Sequence, residues 1–127
     1  MLRKLENEGQ LDYSKIYLAG DEEPTVPVII VDEAKLATEG IGAIRMVGFA
    51  SRDAVRVTLE TKLATFYSRQ RRGLWTKGEG SGNVLNVLGA YTDCDNDTLL
   101  LNVSAVGPTC HTGASSCFEA PIETEKI

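Results

Sequence analysis

Short runs of hydrophobic residues, several of them alternating with polar residues, recur along this chain, as is typical of β-strands. They predict strands at residues 25–31, 43–50, 63–69, 73–78, 83–91 and 98–106. After the second run, Ser51 is a good N-cap and Asp53 suits the positive end of a helix, so we predict a helix over residues 52–61. The pattern predicts a mainly β (α+β) fold, a small single domain of twisted antiparallel strands with one short helix.

Three further features bear on the order of the sheet. Residues 98–106 form the most apolar run, and we predict that they are a central strand. Pro27 has no backbone N–H to donate, which favours a position near an edge of a sheet or at the start of a strand. Residues 32–42 contain two glycines and are predicted to form a loop.

Composition places the chain among globular proteins. Its 127 residues can bury one core, and 43% hydrophobic and 24% charged residues are ordinary values for such a domain. A net charge of −5 argues against nucleic-acid binding, and no apolar run approaches the roughly 20 residues of a membrane span. The amino-terminal residues lack the apolar core of a signal peptide, so we expect a cytoplasmic protein without a membrane partner.

We divide the chain into three parts. Residues 1–23 are polar and acidic, and we predict a flexible or loosely docked arm in which Leu2 and Leu5 could form one weak helical turn. Residues 24–120 form the domain, and residues 121–127 form a short tail.

All three cysteines and the only histidine lie within residues 93–118. Cys94, Cys110 and Cys117 are an odd number, so they cannot all pair in disulfides within the chain, and unpaired thiols fit a reducing cytoplasm. Three thiolates without a fourth protein ligand suit a catalytic zinc, which keeps one position for water. The alternative is a set of inert thiols in the core. Turn-forming residues around Cys110 and aspartates beside Cys94 favour metal binding.

Three carboxylates surround the first of these cysteines. On an extended chain, Asp93, Asp95 and Asp97 share one face while Cys94 points to the other. Carboxylate oxygens are ligands that suit magnesium. On a flat strand the three carboxylates span roughly 13 Å, so they can hold one ion only if the chain curls. The alternative is a solvated acidic turn.

Positive charge is concentrated in one segment of this acidic chain. Its basic residues are Arg69, Arg71, Arg72 and Lys77. The planar fork of arginine suits phosphate oxygens, and the glycine-rich residues 78–83 could present backbone N–H groups to an anion. The alternative is a basic hairpin exposed to solvent.

Three motifs occur in order along the chain: Y-S-R-Q-R-R-G-L-W-T-K-G-E-G-S-G-N, D-C-D-N-D and C-H-T-G-A-S-S-C-F. Together they closely resemble the phosphoribosyl-AMP cyclohydrolase family, which carries out a ring-opening step of histidine biosynthesis. The resemblance is strong over residues 64–118 and weak over residues 24–61. Leu85, where the family pattern has glutamine, and the loosely matching residues 45–51 depart from it.

The resemblance implies a hydrolase that acts on phosphoribosyl-AMP with zinc and magnesium. The implied metal ligands are Cys94, Cys110 and Cys117 for zinc, and Asp93, Asp95 and Asp97 for magnesium. The implied substrate contacts are Arg69, Arg71 and Lys77 to phosphate, with Ser81 and Gly82 lining the pocket. A zinc-activated water then attacks C6 of the N1-substituted adenine, and the N1–C6 bond opens.

The only histidine is the candidate base. A zinc held by three thiolates is formally anionic and acidifies water less than a three-histidine zinc, so a nearby base would help. We therefore assign this role to His111. The alternative is a structural histidine whose hydrogen bond orients the loop.

The resemblance also implies an intertwined homodimer with metal at the interface. Cys94 precedes the apolar strand at residues 98–106, while Cys110 and Cys117 follow it, which is consistent with a zinc shared between two chains. Two other functions remain open, a zinc-dependent nucleotide deaminase and a non-catalytic interaction module stabilised by zinc. In such a module His111 could be the fourth ligand.

Overall fold

The computed structural model describes residues 2–17, 23–118 and 122 of the chain. In chain order, the helices and strands of this part are β1 (Arg3–Lys4), β2 (Ile16–Tyr17), β3 (Pro24–Val31), α1 (Leu36–Glu39), β4 (Ile44–Ala50), α2 (Arg52–Thr61), β5 (Thr65–Ser68), β6 (Gly73–Thr76), β7 (Leu85–Thr92) and β8 (Leu99–Ala105). The six predicted strands are present, with ends that differ from the prediction by at most two residues. Neither helix is long and apolar enough to cross a membrane.

The described strands form one six-stranded sheet and a separate β5–β6 hairpin. In the large sheet the order is β1–β7–β8–β3–β2, and β4 also pairs with β3. The prediction that the most apolar strand is central is confirmed, because β8 lies between β7 and β3. The mainly β fold class is confirmed too, but the β3–β8 pair is parallel, which the sequence did not indicate. A parallel pair needs a long crossover, and the connection that contains α2 provides it.

Pro27 lies inside β3 and not in a strand at the edge of the sheet. On one side it is opposite Phe49 of β4. In the described sheet, β8 begins to pair with β3 only at Val28, and β2 pairs only with Pro24 and Thr25. β3 thus lies near an edge of the sheet, one strand in from β2 and β4, but Pro27 is not at the start of the strand. The register leaves Pro27 opposite neither β8 nor β2.

The core lies between the large sheet and α2. Ser51 begins the helix by accepting a hydrogen bond from the Ala54 N–H at 3.2 Å, and Lys62 ends it in the left-handed region with φ 61°. The predicted helix over residues 52–61 is thus confirmed. Its buried residues include Ala54 and Val55, which join the core formed by alternate residues of β3 and β8.

The described part of the amino-terminal arm is firmly packed, so the prediction of a loosely docked arm is wrong. Leu5, Leu11 and Tyr13 are all buried in the core. Burying a leucine side chain stabilises the folded state by about 1.5–3 kcal/mol. In place of a helical turn between Leu2 and Leu5, β1 pairs with β7 and forms the edge of the sheet beside it. Three apolar residues scattered among polar ones show no periodicity, which is why the sequence did not predict this packing.

Residues 32–42 differ from the prediction, and most of the predicted tail lies outside the described residues. Residues 32–42 were predicted to be a loop, but they are mostly helical turns. These are the 3-10 turns Glu33–Lys35 and Gly40–Ala43 with α1 between them. The predicted tail at residues 121–127 lies outside the described residues except for Ile122, and so do residues 18–22 of the arm.

Candidate metal and substrate site

The acidic loop between β7 and β8 brings its three carboxylates together. The chain curls because Asp93 Oδ1 accepts hydrogen bonds from the backbone N–H groups of Asp97 (3.0 Å) and Thr98 (3.3 Å). Asn96 makes the turn with φ 61°, a conformation that asparagine tolerates better than most residues. One oxygen from each of Asp93, Asp95 and Asp97 then lies within 4.8 Å of the others. The chain is therefore curled at this loop, as a magnesium site formed by all three carboxylates requires.

A lysine from the arm contacts this acidic loop. Lys15 Nζ donates to Asp95 Oδ2 at 3.0 Å and to Asp97 Oδ2 at 3.1 Å. These two hydrogen bonds raise the pKa of Lys15 above its ordinary value. A cationic side chain thus contacts two of the three carboxylates.

The three cysteines lie in two loops, and none is in a disulfide. Cys94 is exposed in the acidic loop. Cys110 begins a tight turn in which its carbonyl accepts from the Gly113 N–H at 3.0 Å and its sulfur accepts from the Thr112 hydroxyl at 3.2 Å. His111 is exposed beside it, with Nδ1 4.0 Å from Cys110 Sγ. The histidine is therefore next to a candidate zinc ligand.

Cys117 is held against the first residues of β4. Its backbone N–H donates to the carbonyl of Arg45 at 2.7 Å, and the Ser116 hydroxyl donates to the carbonyl of Ile44 at 2.6 Å. Arg45 is itself buried, with its guanidinium 2.9 Å from Glu39 Oε2. The Arg45 hydrogen bonds keep the pKa of Glu39 below its usual value. Sequence reasoning missed Arg45, although a charged residue within an apolar strand pattern was a signal for it.

Within one described chain the three sulfurs do not form a metal site. Among the described histidine, cysteine, aspartate and glutamate residues, one group of three has ligand atoms that all lie within 4.8 Å of one another, and it consists of the three aspartates. Thr92 pairs with Leu99 at one end of the β7–β8 ladder, and Leu85 pairs with Ala105 at the other. Cys94 follows the first end and Cys110 the second, and a seven-residue strand spans roughly 20 Å.

The glycine-rich segment folds back beside the second end of this ladder. The Gly82 N–H donates to the Gly78 carbonyl at 2.8 Å, and the Val106 N–H donates to the Val84 carbonyl at 2.9 Å. Gly107 leaves room for the Asn83 side chain, which a Cβ at that position would meet. Ser81 and Gly82 are both exposed on this loop, at the end of the ladder opposite to the aspartates.

The predicted phosphate ligands lie in or next to the β5–β6 hairpin. Arg69 and Arg71 are exposed in its turn, where Arg71 Nη1 forms an ion pair with Glu79 Oε1 at 2.7 Å. The ammonium of Lys77 lies 5.9 Å from the ring centre of Trp75, and the Trp75 ring also packs on Phe66. The hairpin therefore presents two arginines to solvent and a lysine held against an aromatic ring.

Replacing Gly78 with alanine should lower the free energy of unfolding by about 2–5 kcal/mol. Gly78 has φ 83°, and an added Cβ would collide with the backbone of Asn83 and Val84. Gly82→Ala is the matched control, because Gly82 has φ 82° but nothing within 4 Å of an added Cβ. It should cost only the backbone strain, about 1–2 kcal/mol. Urea unfolding measures both, and equal losses would mean that the collision is relieved.

The family model described as phosphoribosyl-AMP cyclohydrolase matches residues 46–119, more than half of the chain. The chain belongs to the phosphoribosyl-AMP cyclohydrolase family. The matched residues of this chain include all the predicted metal ligands, His111 and the predicted substrate contacts. Lys15 and Arg45 both precede it.

Curated relatives of the phosphoribosyl-AMP cyclohydrolase family include single and bifunctional proteins. The chain is 45% identical over 97 residues to the phosphoribosyl-AMP cyclohydrolase of Bacillus cereus strain G9842, a match that covers 76% of this chain and 90% of that protein. It is 44% identical over 109 residues to the histidine biosynthesis bifunctional protein HisIE of Yersinia pestis, covering 86% of this chain and 48% of that protein. It is 53% identical over 77 residues to the protein of that name in Escherichia coli K12, covering 61% and 38%. The chain thus spans less than half the length of these bifunctional relatives.

Proposed function

We propose that this chain hydrolyses phosphoribosyl-AMP, opening the N1–C6 bond of its adenine ring in histidine biosynthesis in the cytoplasm. The observation that carries the proposal is the family match over residues 46–119, which includes the three motifs in full. The B. cereus relative of which the chain covers 90% carries the name of this activity. The residues of the site then divide into metal ligands, a base and phosphate contacts.

Magnesium would be held by Asp93, Asp95 and Asp97. Three carboxylates within 4.8 Å of one another are hard oxygen ligands that suit this ion, and the Lys15 ammonium beside them stands where a cation is favoured. Their role is to hold positive charge close to the substrate phosphates.

Zinc would be held by Cys94 of one chain and by Cys110 and Cys117 of a second chain. Thiolates are preferred zinc ligands, and a zinc with three protein ligands supplies an acidified water for attack at C6. Support for sharing comes from the single chain, where Cys94 and Cys110 follow opposite ends of the β7–β8 ladder. The acidic loop and the glycine-rich loop are separated in the same way, so a two-fold homodimer would also join magnesium to the phosphate contacts.

An apolar hollow gives the second chain a surface to cover. It has a volume of about 370 Å³ and lies on the face of the sheet away from the core, where it is lined mainly by Leu2, Ile29, Val31, Leu36, Ile44 and Leu100. Exposed apolar patches of this kind mark association surfaces. A neighbouring hollow extends this surface to Asp93, so a partner seated here would approach the acidic loop.

The substrate phosphates would be bound by Arg69, Arg71 and Lys77, with Ser81 and Gly82 lining the pocket. Arg71 would exchange its ion pair with Glu79 for a phosphate, which an exposed pair permits at little cost. The exposed backbone of the glycine-rich loop offers N–H groups to the same anion.

His111→Ala should lower turnover by about 10²–10⁴-fold while the protein keeps its zinc. The imidazole is exposed beside Cys110 and can take a proton from the attacking water. The measurement is the turnover number together with zinc content by mass spectrometry. Zinc loss in this variant would make His111 a ligand, as expected for a closed structural site.

The test of the proposal is to incubate the zinc- and magnesium-loaded protein with phosphoribosyl-AMP. Ring opening changes the ultraviolet absorbance and adds one water to the substrate mass without releasing ammonia. Protein stripped of metal by a chelator is the control and should be inactive. Release of ammonia would indicate a nucleotide deaminase. Zinc binding with no turnover at all would indicate a non-catalytic module.

A further inference from the structure

The arm delivers Lys15 to the acidic loop from a segment that is fixed on both sides. Before it, the Asp12 N–H donates to the Asn96 carbonyl at 2.7 Å, and Tyr13 is buried with Arg52 stacked 4.9 Å from its ring centre. After it, β2 pairs with the start of β3. The backbone on both sides of Lys15 is thus fixed, which places its side chain within reach of the acidic loop.

The Lys15 ammonium stands where a divalent cation bound to the acidic loop would stand. Lys15 Nζ contacts Asp95 Oδ2 and Asp97 Oδ2, oxygens of two of the three clustered carboxylates. A magnesium ion bound to those oxygens at about 2.1 Å would stand within roughly 4 Å of the ammonium. Two cations so close repel each other, so binding of one disfavours binding of the other.

The contact also bears on the charge balance of the acidic loop. Three carboxylates within 4.8 Å repel one another when they are ionised. The Lys15 ammonium offsets part of this repulsion. Its side chain is 41% exposed and the side chain of Asp95 53% exposed, so water can replace the contact readily. Such a pair is displaced by a stronger ligand and does not block the loop permanently.

We propose that Lys15 is a built-in competitor for the divalent cation, so that ammonium and cation occupy the acidic loop alternately. This inference rests on the proposed magnesium site. The arm thereby sets the cation concentration at which the loop fills, although it lies outside the region matched by the family model. When the cation binds, the Lys15 side chain moves into solvent while Asp12 and Tyr13 keep the arm in place.

The test is calorimetric titration of magnesium chloride into metal-free Lys15→Gln and into the unchanged protein. Removing the competitor should tighten magnesium binding by about three- to tenfold, the range expected for two exposed ion pairs. Arg3→Gln is the matched control, since it removes the same charge from the same arm. Arg3 donates to the Asn96 side-chain oxygen of this loop at 3.2 Å and not to a carboxylate. Its affinity should stay within about twofold, because the Arg3 guanidinium bonds an amide oxygen, and an exposed charge outside an ion pair is screened by salt.

Thermal unfolding is the second measurement. Without metal, Lys15→Gln should unfold at a lower temperature than the unchanged protein, because the carboxylates lose their counter-ion. With saturating magnesium the difference should disappear, since the ion has replaced the lysine in both proteins. Equal magnesium affinities for the two proteins would overturn the competition alone. Absence of magnesium binding to both would overturn the magnesium site and the competition with it.

Discussion

Cys117→Ser should remove zinc from the protein and lower turnover by more than about a hundredfold. Changes in groups that merely orient zinc ligands already cost about 10–100-fold, and serine is a far weaker ligand than a thiolate. The fold should survive, because Cys117 is exposed and serine keeps the backbone N–H that donates to the Arg45 carbonyl. Zinc content, turnover and the unfolding temperature measured on one sample would separate these effects.

The matched control for this change is Ser115→Ala, two residues earlier in the same loop. Ser115 is exposed, and its loss removes a side-chain hydrogen bond to Glu39 but no sulfur. Zinc and turnover should stay near normal in this variant. If Cys117→Ser instead keeps one zinc per chain and full turnover, the three-cysteine site is wrong.

Mixing two inactive variants should restore activity to the protein. If Cys94 of one chain completes the zinc site of the other, a heterodimer of Cys94→Ala and Cys110→Ala chains retains one intact site. It should regain up to half of the unchanged activity per dimer, whereas each variant alone is inactive. The physical reason is the separation of Cys94 from Cys110 at opposite ends of the β7–β8 ladder. Differently tagged chains, co-expressed and purified through both tags, provide the sample.

A second mixture tests which cysteines belong together. Cys110→Ala and Cys117→Ala chains should give an inactive heterodimer, because both residues are expected to serve the same site from one chain. Each site in that dimer then lacks one ligand. If activity recovers in this mixture but not in the first, Cys110 and Cys117 of one zinc site come from different chains. Recovery in neither would mean that all three ligands come from one chain.

The elements of this fold that depend on local chemistry were predictable from the sequence. Ser51 and Asp53 mark the start of α2, and the helix has the predicted bounds. The dense pattern of apolar residues at 98–106 similarly indicates a central strand, and β8 is one. The three motifs were sufficient to indicate the family, because they combine rare residues at fixed spacing.

Contacts between distant parts of the chain were not predictable in this way. Nothing around Lys15 distinguishes it from other exposed lysines, yet the fold places it on Asp95 and Asp97. The docking of Cys117 on Arg45 likewise joins segments that have no shared local pattern. Since such contacts depend on the path of the backbone, a periodicity in one segment carries no information about them.

The parallel pairing of β3 with β8 bears on how the chain folds during synthesis. Val28 pairs with Leu99, and α2 with four strands lies between them in the chain. Contacts between such distant segments slow folding, because a long loop must close before they form. A nascent chain cannot complete its core until β8 has left the ribosome. Until then β3, with its buried residues Val26, Val28 and Ile30, lacks this neighbour and is exposed to aggregation.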